Sequence, residues 1–148
     1  MTKLQAIRAF ATVVLKQDIV IARHRLDNNW GMNIAEKTPR LSIPSNFNYK
    51  NDENDKMFYE DFISYYSAAK EFNPITLAIL HECGHWETRN EINWWFDDIV
   101  RNTAVTMEDY LCIPSERKAT AWAIKWLKNK EHRAAAKQFE EYFFQKGK

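Results

Sequence analysis

His81-Glu82-Cys83-Gly84-His85 gathers two imidazoles and a carboxylate into five residues of a 148-residue chain. Side chains four apart on an α-helix project from one face, so His81 and His85 can reach one zinc ion at about 2.0 to 2.1 Å. Glu82, between them, points to one side of the metal, where it can take a proton from a zinc-activated water and pass it to a leaving group. Random placement of the four His and twelve Glu of this composition produces the H-E-x-x-H order only about once in a hundred such chains. Either histidine alone would be an ordinary core or surface residue. Together with a carboxylate on an apolar helix they cost about several kcal/mol to bury, and a metal ion is the partner that pairs all of them.

A catalytic zinc site needs a third protein ligand and one open position. Glu116 is the expected ligand, with Cys112, whose thiolate is also a good zinc donor, as the alternative. On a helix begun at Ser115, residues Glu116, Ala119, Thr120 and Ala123 share a face. One carboxylate thus heads a small-residue surface that permits close approach to the metal helix. The plainer role for Glu116 is a favourable interaction with the dipole of the first helical turn.

The elements that must hold these groups are mostly helical. Asn73 is a good N-cap and Pro74 suits the first helical position, so a helix is expected over residues 74–88. Ile75, Leu77, Ala78, Ile79, Leu80, Cys83 and Trp86 make it apolar nearly all round, as befits a helix through the domain centre. Other helices are expected over residues 3–15, 57–71, 91–101 and 131–145, with Pro114 and Ser115 opening another and Ser115 as its N-cap. Either the first helix continues to Arg23 or Ile19, Val20 and Ile21 leave it as a short strand. Residues 26–56 read as loop, with room for a strand around Leu41 to Ile43.

HECGH on an apolar helix, followed by Glu116-Arg117-Lys118-Ala119-Thr120-Ala121-Trp122-Ala123, resembles the ImmA/IrrE-type gluzincin metallopeptidases. Those carry H-E-x-x-H and then E-x-E-A-(N/D)-x-F-A. The chain departs from that pattern at Lys118, where the family usually has an acid, and at Thr120, where it often has Asn or Asp. The resemblance covers residues 81–127. It implies His81, His85 and Glu116 as zinc ligands and Glu82 as general base. It further implies a soluble intracellular peptidase, often encoded by phages or mobile elements, that cuts a regulatory protein such as a repressor. SprT-like proteases and the zincin-like domain of anti-restriction proteins share similar helices. The expected fold is mainly α, in the α+β class: one zincin-like domain over residues 1–148, with a central HExxH helix and a small β-sheet.

Composition bounds the alternatives. Three glycines and 45% hydrophobic residues fit one helical domain. No apolar stretch approaches the roughly 20 residues of a membrane span, and the N-terminus lacks a secretory cleavage pattern. Cys83 and Cys112 are too few for a disulfide framework, so a cytoplasmic protein with reduced thiols is expected. A net charge of +1 argues against a dedicated nucleic-acid binder. Lys and Arg number eight against three Asp and Glu in residues 1–50, four against thirteen in 51–110, and nine against four in 111–148. If the acidic middle lines a cleft it should attract cations; otherwise it is a solvated face.

The expected partner is a protein or peptide substrate. Tyr110 and His132 are candidate donors to the transition state, each with a structural role as the plainer reading. Trp94, Trp95 and Phe96 are adjacent and cannot all be buried on one helix face, so Trp94 or Trp95 is expected to cover the core rim, with a substrate groove or partner surface as the alternative. Trp122 and Trp126 are expected to pack, Cys83 to face the core and His24 to lie at the surface. Against the peptidase stands a catalytically silent zincin-like binding or inhibitor protein, for which the base Glu82 has no chemical need. A zinc deaminase would require a P-C-x-x-C motif, which the sequence lacks.

Overall fold

Lys16, in the left-handed conformation at φ 58°, ends the first helix and decides the fate of the β-branched run behind it. The computed structural model describes residues 2–23, 29–44 and 53–145. Helix α1 (Lys3–Leu15) is opened by Thr2, whose hydroxyl accepts from the Gln5 amide while the Gln5 side chain accepts from the Thr2 amide. After Lys16 the chain becomes strand β1 (Val20–Arg23), so the strand alternative for residues 19–21 is the one adopted.

Strands β2 (Gly31–Asn33) and β3 (Arg40–Ile43) complete a three-stranded sheet in the order β1-β3-β2. β3 lies parallel to β1, with Val20 opposite Arg40, and antiparallel to β2, with Met32 opposite Leu41. Leu41 and Ile43 are fully buried and alternate with half-buried neighbours, the period-2 pattern of a sheet with one face on the core. β2 falls where the sequence reads as loop. Three residues are too short to show a period, and pairing to β3 supplies what propensity does not.

The expected helix over 57–71 is two elements. Helix α2 (Glu53–Tyr65) stops where Tyr66 turns extended at φ −154°, and a 3-10 turn (Ser67–Glu71) brings Ala69 and Phe72 into the core. Phe62 of α2 is fully buried; the side chains of Met57 and Phe58, like His24, lie outside the described residues.

Helix α3 (Pro74–Glu87) buries every residue from Ile75 to Gly84, and Trp86 as well. The Asn73 side chain caps it by accepting from the Ile75 amide at 2.9 Å. A second cap comes from helix α7 (Lys130–Gln145), where Glu140 Oε2 accepts from the Asn73 amide and the Thr76 hydroxyl, both at 2.5 Å. Replacing Glu140 with alanine leaves both donors short of a partner, and a loss of about 1–2 kcal/mol is expected in denaturant unfolding. A Glu140→Gln protein that unfolds like the alanine variant would show that the charge, rather than the acceptor oxygen, carries the effect.

A 3-10 turn (Arg89–Glu91) links α3 to helix α4 (Trp94–Thr103), so the helix expected from residue 91 starts three residues later, capped by Asn93. A short helix, α5 (Met107–Leu111), lies where no helix was expected, and Thr106 and Asp109 form its capping box. Helix α6 (Pro114–Leu127) runs along α3 as the most extensive helix pair, with α1 and α7 closing the core. Phe10 stacks on Phe139 at 4.6 Å and meets the edge of Trp126 at 5.9 Å. Trp126 is buried and Trp122 packs against the core, so both have the packing role expected. The architecture is therefore mainly α with a small sheet. Among the described residues no helix is long and apolar enough to cross a membrane.

Candidate metal centre

The first turn of α6 carries a carboxylate into the face of α3. Ile113 stands at the N-cap of α6 without a side-chain cap, and Pro114 takes the first helical position. Ser115 is thus inside the helix rather than its N-cap. The missing acceptor comes from α4, where Asp97 takes the Ser115 amide at 2.8 Å and the Ser115 hydroxyl at 2.9 Å. Asp97 is fully buried. This remote cap orients the turn that presents Glu116.

Glu116 Oε1 lies 2.9 Å from His81 Nε2 and 3.0 Å from His85 Nε2. One ligand atom from each of the three residues falls within 4.8 Å of the others, so the group could hold a metal ion. His81 and Glu116 are buried, whereas His85 keeps 14% of its side chain exposed, leaving the approach on its side. His81 Nδ1 is 3.0 Å from the Thr120 hydroxyl. That contact suits the tautomer a metal needs, with Nδ1–H donating to Thr120 and the Nε2 lone pair left for an ion. Cys112 is exposed at the end of α5 and is not part of the group.

Close approach of the two helices depends on Gly84. A Cβ there would sit 2.9 Å from the Ala119 Cα and closer still to the Ala119 carbonyl oxygen. Ala119 and Ala123 are fully buried on the facing side of α6, where the sequence had indicated a small-residue surface.

Glu82 is buried, and burial pushes its carboxyl above the usual range, against the pull of His85 and His81. Cys83 is fully buried in the core, and burial raises its thiol, which keeps it protonated and unreactive. Tyr110 is 37% exposed, yet the protein packed on its other side desolvates it and pushes it up to about 12; the charge of Glu116 adds to this and a hydrogen bond with Arg101 opposes it. Tyr110 therefore keeps its proton at neutral pH beside the cluster. His132 is elsewhere engaged: its ring stacks on Trp126 at 4.3 Å and Nδ1 meets the Trp126 carbonyl oxygen at 2.9 Å.

Two residues of the site have almost no local signal in the sequence. Arg101 of α4 donates to Glu116 Oε2 at 2.9 Å and to the Ser115 hydroxyl at 3.1 Å, and lies 3.7 Å from Asp97 Oδ2. The one clue is the Asp97-to-Arg101 spacing, a helical i,i+4 ion pair. Neither Trp94 nor Trp95 covers the core rim. Trp94 donates to the Arg89 carbonyl oxygen and remains 38% exposed, and Trp95 is 77% exposed, because α4 turns its aspartate inward instead.

Of the acidic central segment only Asp61 and Tyr65 line the cavity beside Thr120, whose other charged residues are basic. A cavity of about 560 Å³ between α2, α5 and α6 shares Thr120 as wall and is rimmed by Arg117, Lys118, Lys125 and Lys128, with Asp61 as its carboxylate.

The cluster sets a pH signature for the metal-free protein. Burial disfavours the Glu116 carboxylate, but bonds from His81 and His85 outweigh it and hold its carboxyl well below the ordinary 4.5. A depressed carboxyl contributes stability above its unfolded value and loses it as pH falls through the folded one. Burial likewise lowers His85, yet the bond to Glu116 and the charges of Glu82 and Glu116 raise it above 6.5. Its contribution is complete below 6.5 and is lost as pH rises through the raised value. Both effects, one interaction seen from its two ends, are present together between pH 4.5 and 6.5. The thermal midpoint in chelator should therefore be highest in that window, and Glu116→Gln should flatten the curve. A wild-type curve that is flat from pH 4 to 8 would refute the pairing.

Compared with protein-family models, with curated proteins and with solved structures, the chain matches none of them.

Proposed function

We propose that the protein is a zinc metallopeptidase that hydrolyses a peptide bond in a protein substrate. The observation that carries this reading is the convergence of His81, His85 and Glu116, with Glu82 buried on the same helix as the histidines, whose motif resembles that of ImmA/IrrE-type gluzincins. Two imidazoles and one carboxylate are a ligand set that zinc favours while keeping a position for substrate. Zinc bound there supplies a Lewis acid that polarises a carbonyl and brings the pKa of a coordinated water towards 7.

The remaining work falls to the chain's own residues. Glu82, held on α3 between the ligands with its proton affinity raised by burial, accepts a proton from the attacking water and delivers it to the departing amine. Thr120 fixes the His81 ring through Nδ1. Tyr110, protonated beside Arg101, can donate to the oxygen on which charge develops. The cationic rim by Thr120 favours substrate segments that carry acidic side chains. A regulatory protein such as a repressor is the substrate class that the family resemblance suggests, and the cytoplasm is the matching compartment.

Elemental analysis of the purified protein tests the first half of the reading. About one zinc per chain is expected in the wild type, with loss in His81→Ala and Glu116→Ala. The second half is tested by incubating the zinc-loaded protein with a peptide library and reading new N-termini by mass spectrometry. Zinc binding without any cleavage would move the assignment to a silent binding protein. No zinc, with folding indifferent to chelation, would remove the metal centre altogether.

A further inference from the structure

Helix α4 is built inside out: Asp97 is its one buried side chain, while Trp95, Phe96 and Ile99 face solvent at 77%, 53% and 44% exposure. Apolar burial therefore does not explain why α4 lies where it does. What ties it to α6 is a polar chain. Asp97 holds the amide and hydroxyl of Ser115, and Arg101 spans the Ser115 hydroxyl and Glu116 Oε2. The two oxygens of Glu116 are thereby divided, with Oε1 facing both imidazoles and Oε2 taken by a guanidinium.

We propose that Arg101 is the positioning residue for Glu116. By occupying Oε2 it restricts the carboxylate to giving a single oxygen to the metal ion, and Asp97 with Ser115 sets the guanidinium for that task. The inference rests on the metal reading above and adds the role of α4, which the sequence motifs do not touch. A guanidinium suits the task because it stays charged and the two hydrogens of Nη2, the nitrogen that meets both Ser115 and Glu116, are fixed in its plane, whereas an ammonium offers a compact point charge that rotates freely. Without it, Oε2 is free to swing towards the ion, and a carboxylate can chelate through both oxygens.

The test uses Co2+ as the probe, titrated into chelator-stripped full-length protein and followed by its visible absorption. Five-coordinate Co2+ absorbs more weakly than four-coordinate Co2+, so the band shape at saturation reports how many ligand atoms are present, independently of activity. Arg101→Met is expected to give weaker bands at saturation and about 10- to 100-fold weaker Co2+ binding. Arg101→Lys, which keeps a charge but not the fixed planar geometry, should fall between that variant and wild type.

Thermal unfolding in chelator checks that each variant folds. Should Arg101→Met fail to fold, Asp97→Asn loosens the guanidinium without removing it and should shift the bands in the same direction by less. Saturated spectra identical to wild type in the folded variants would overturn the positioning role while leaving the metal centre intact. Absence of Co2+ bands from the wild type would overturn both.

Discussion

Glu82→Gln is expected to lower peptide hydrolysis by about 10²- to 10⁴-fold while leaving the zinc content at the wild-type level. The amide has the shape of the carboxylate but cannot accept a proton from water. Its effect on stability should be small or favourable, because the buried carboxylate it replaces is already disfavoured as an anion. The pair of readouts is what gives the experiment its force. A loss of zinc in Glu82→Gln would mean that the glutamate acts as a ligand. Full retention of hydrolysis would show that proton transfer runs through another group, and Tyr110, whose proton is held beside Arg101, would be the next residue to replace.

Gly84→Ala is expected to weaken both the fold and the metal site through one cause. Alanine is intrinsically the better helix former by about 1 kcal/mol, which in an exposed helix would stabilise the protein. Here the new methyl meets the backbone of Ala119, which cannot rotate away as a side chain could. Overpacking of this kind costs about 1–3 kcal/mol, and relief requires α3 and α6 to move apart. Those are the helices that carry the histidines and Glu116, so separation pulls Oε1 from both Nε2 atoms. The thermal midpoint should fall, and zinc affinity should fall with it. A Gly84→Ala protein that is more stable than wild type and binds zinc equally well would show that the helices do not need this contact.

Much of the candidate metal centre is legible without tertiary structure because it is written in local periods. The spacing of His81 and His85 acts within one helical turn. Asn73-Pro74 announces where that helix begins, and the small-residue face of Glu116, Ala119 and Ala123 announces how it can be approached. Fold class follows in the same way from low glycine content and apolar residues at helical spacing. The strand around Leu41 to Ile43 was likewise readable, since its alternate residues are the buried ones.

What the sequence could not determine is set by which elements meet. β2 exists because β3 pairs with it, α3 has a second cap because α7 brings Glu140 to Thr76, and α6 is capped by a residue eighteen positions upstream of Ser115. The expectation that Trp94 or Trp95 would pack fails for the same reason. Hydrophobicity favours one of the two tryptophans against the core, but a buried aspartate satisfying the first turn of α6 holds α4 the other way. Hydrophobicity is a property of each residue, whereas the partner of a buried polar group is a property of the packed chain. The sequence by itself therefore determined the helix that carries the histidines and the face that carries Glu116. Only the tertiary structure decided which oxygen of Glu116 turns to the histidines, because an arginine from a third helix holds the other.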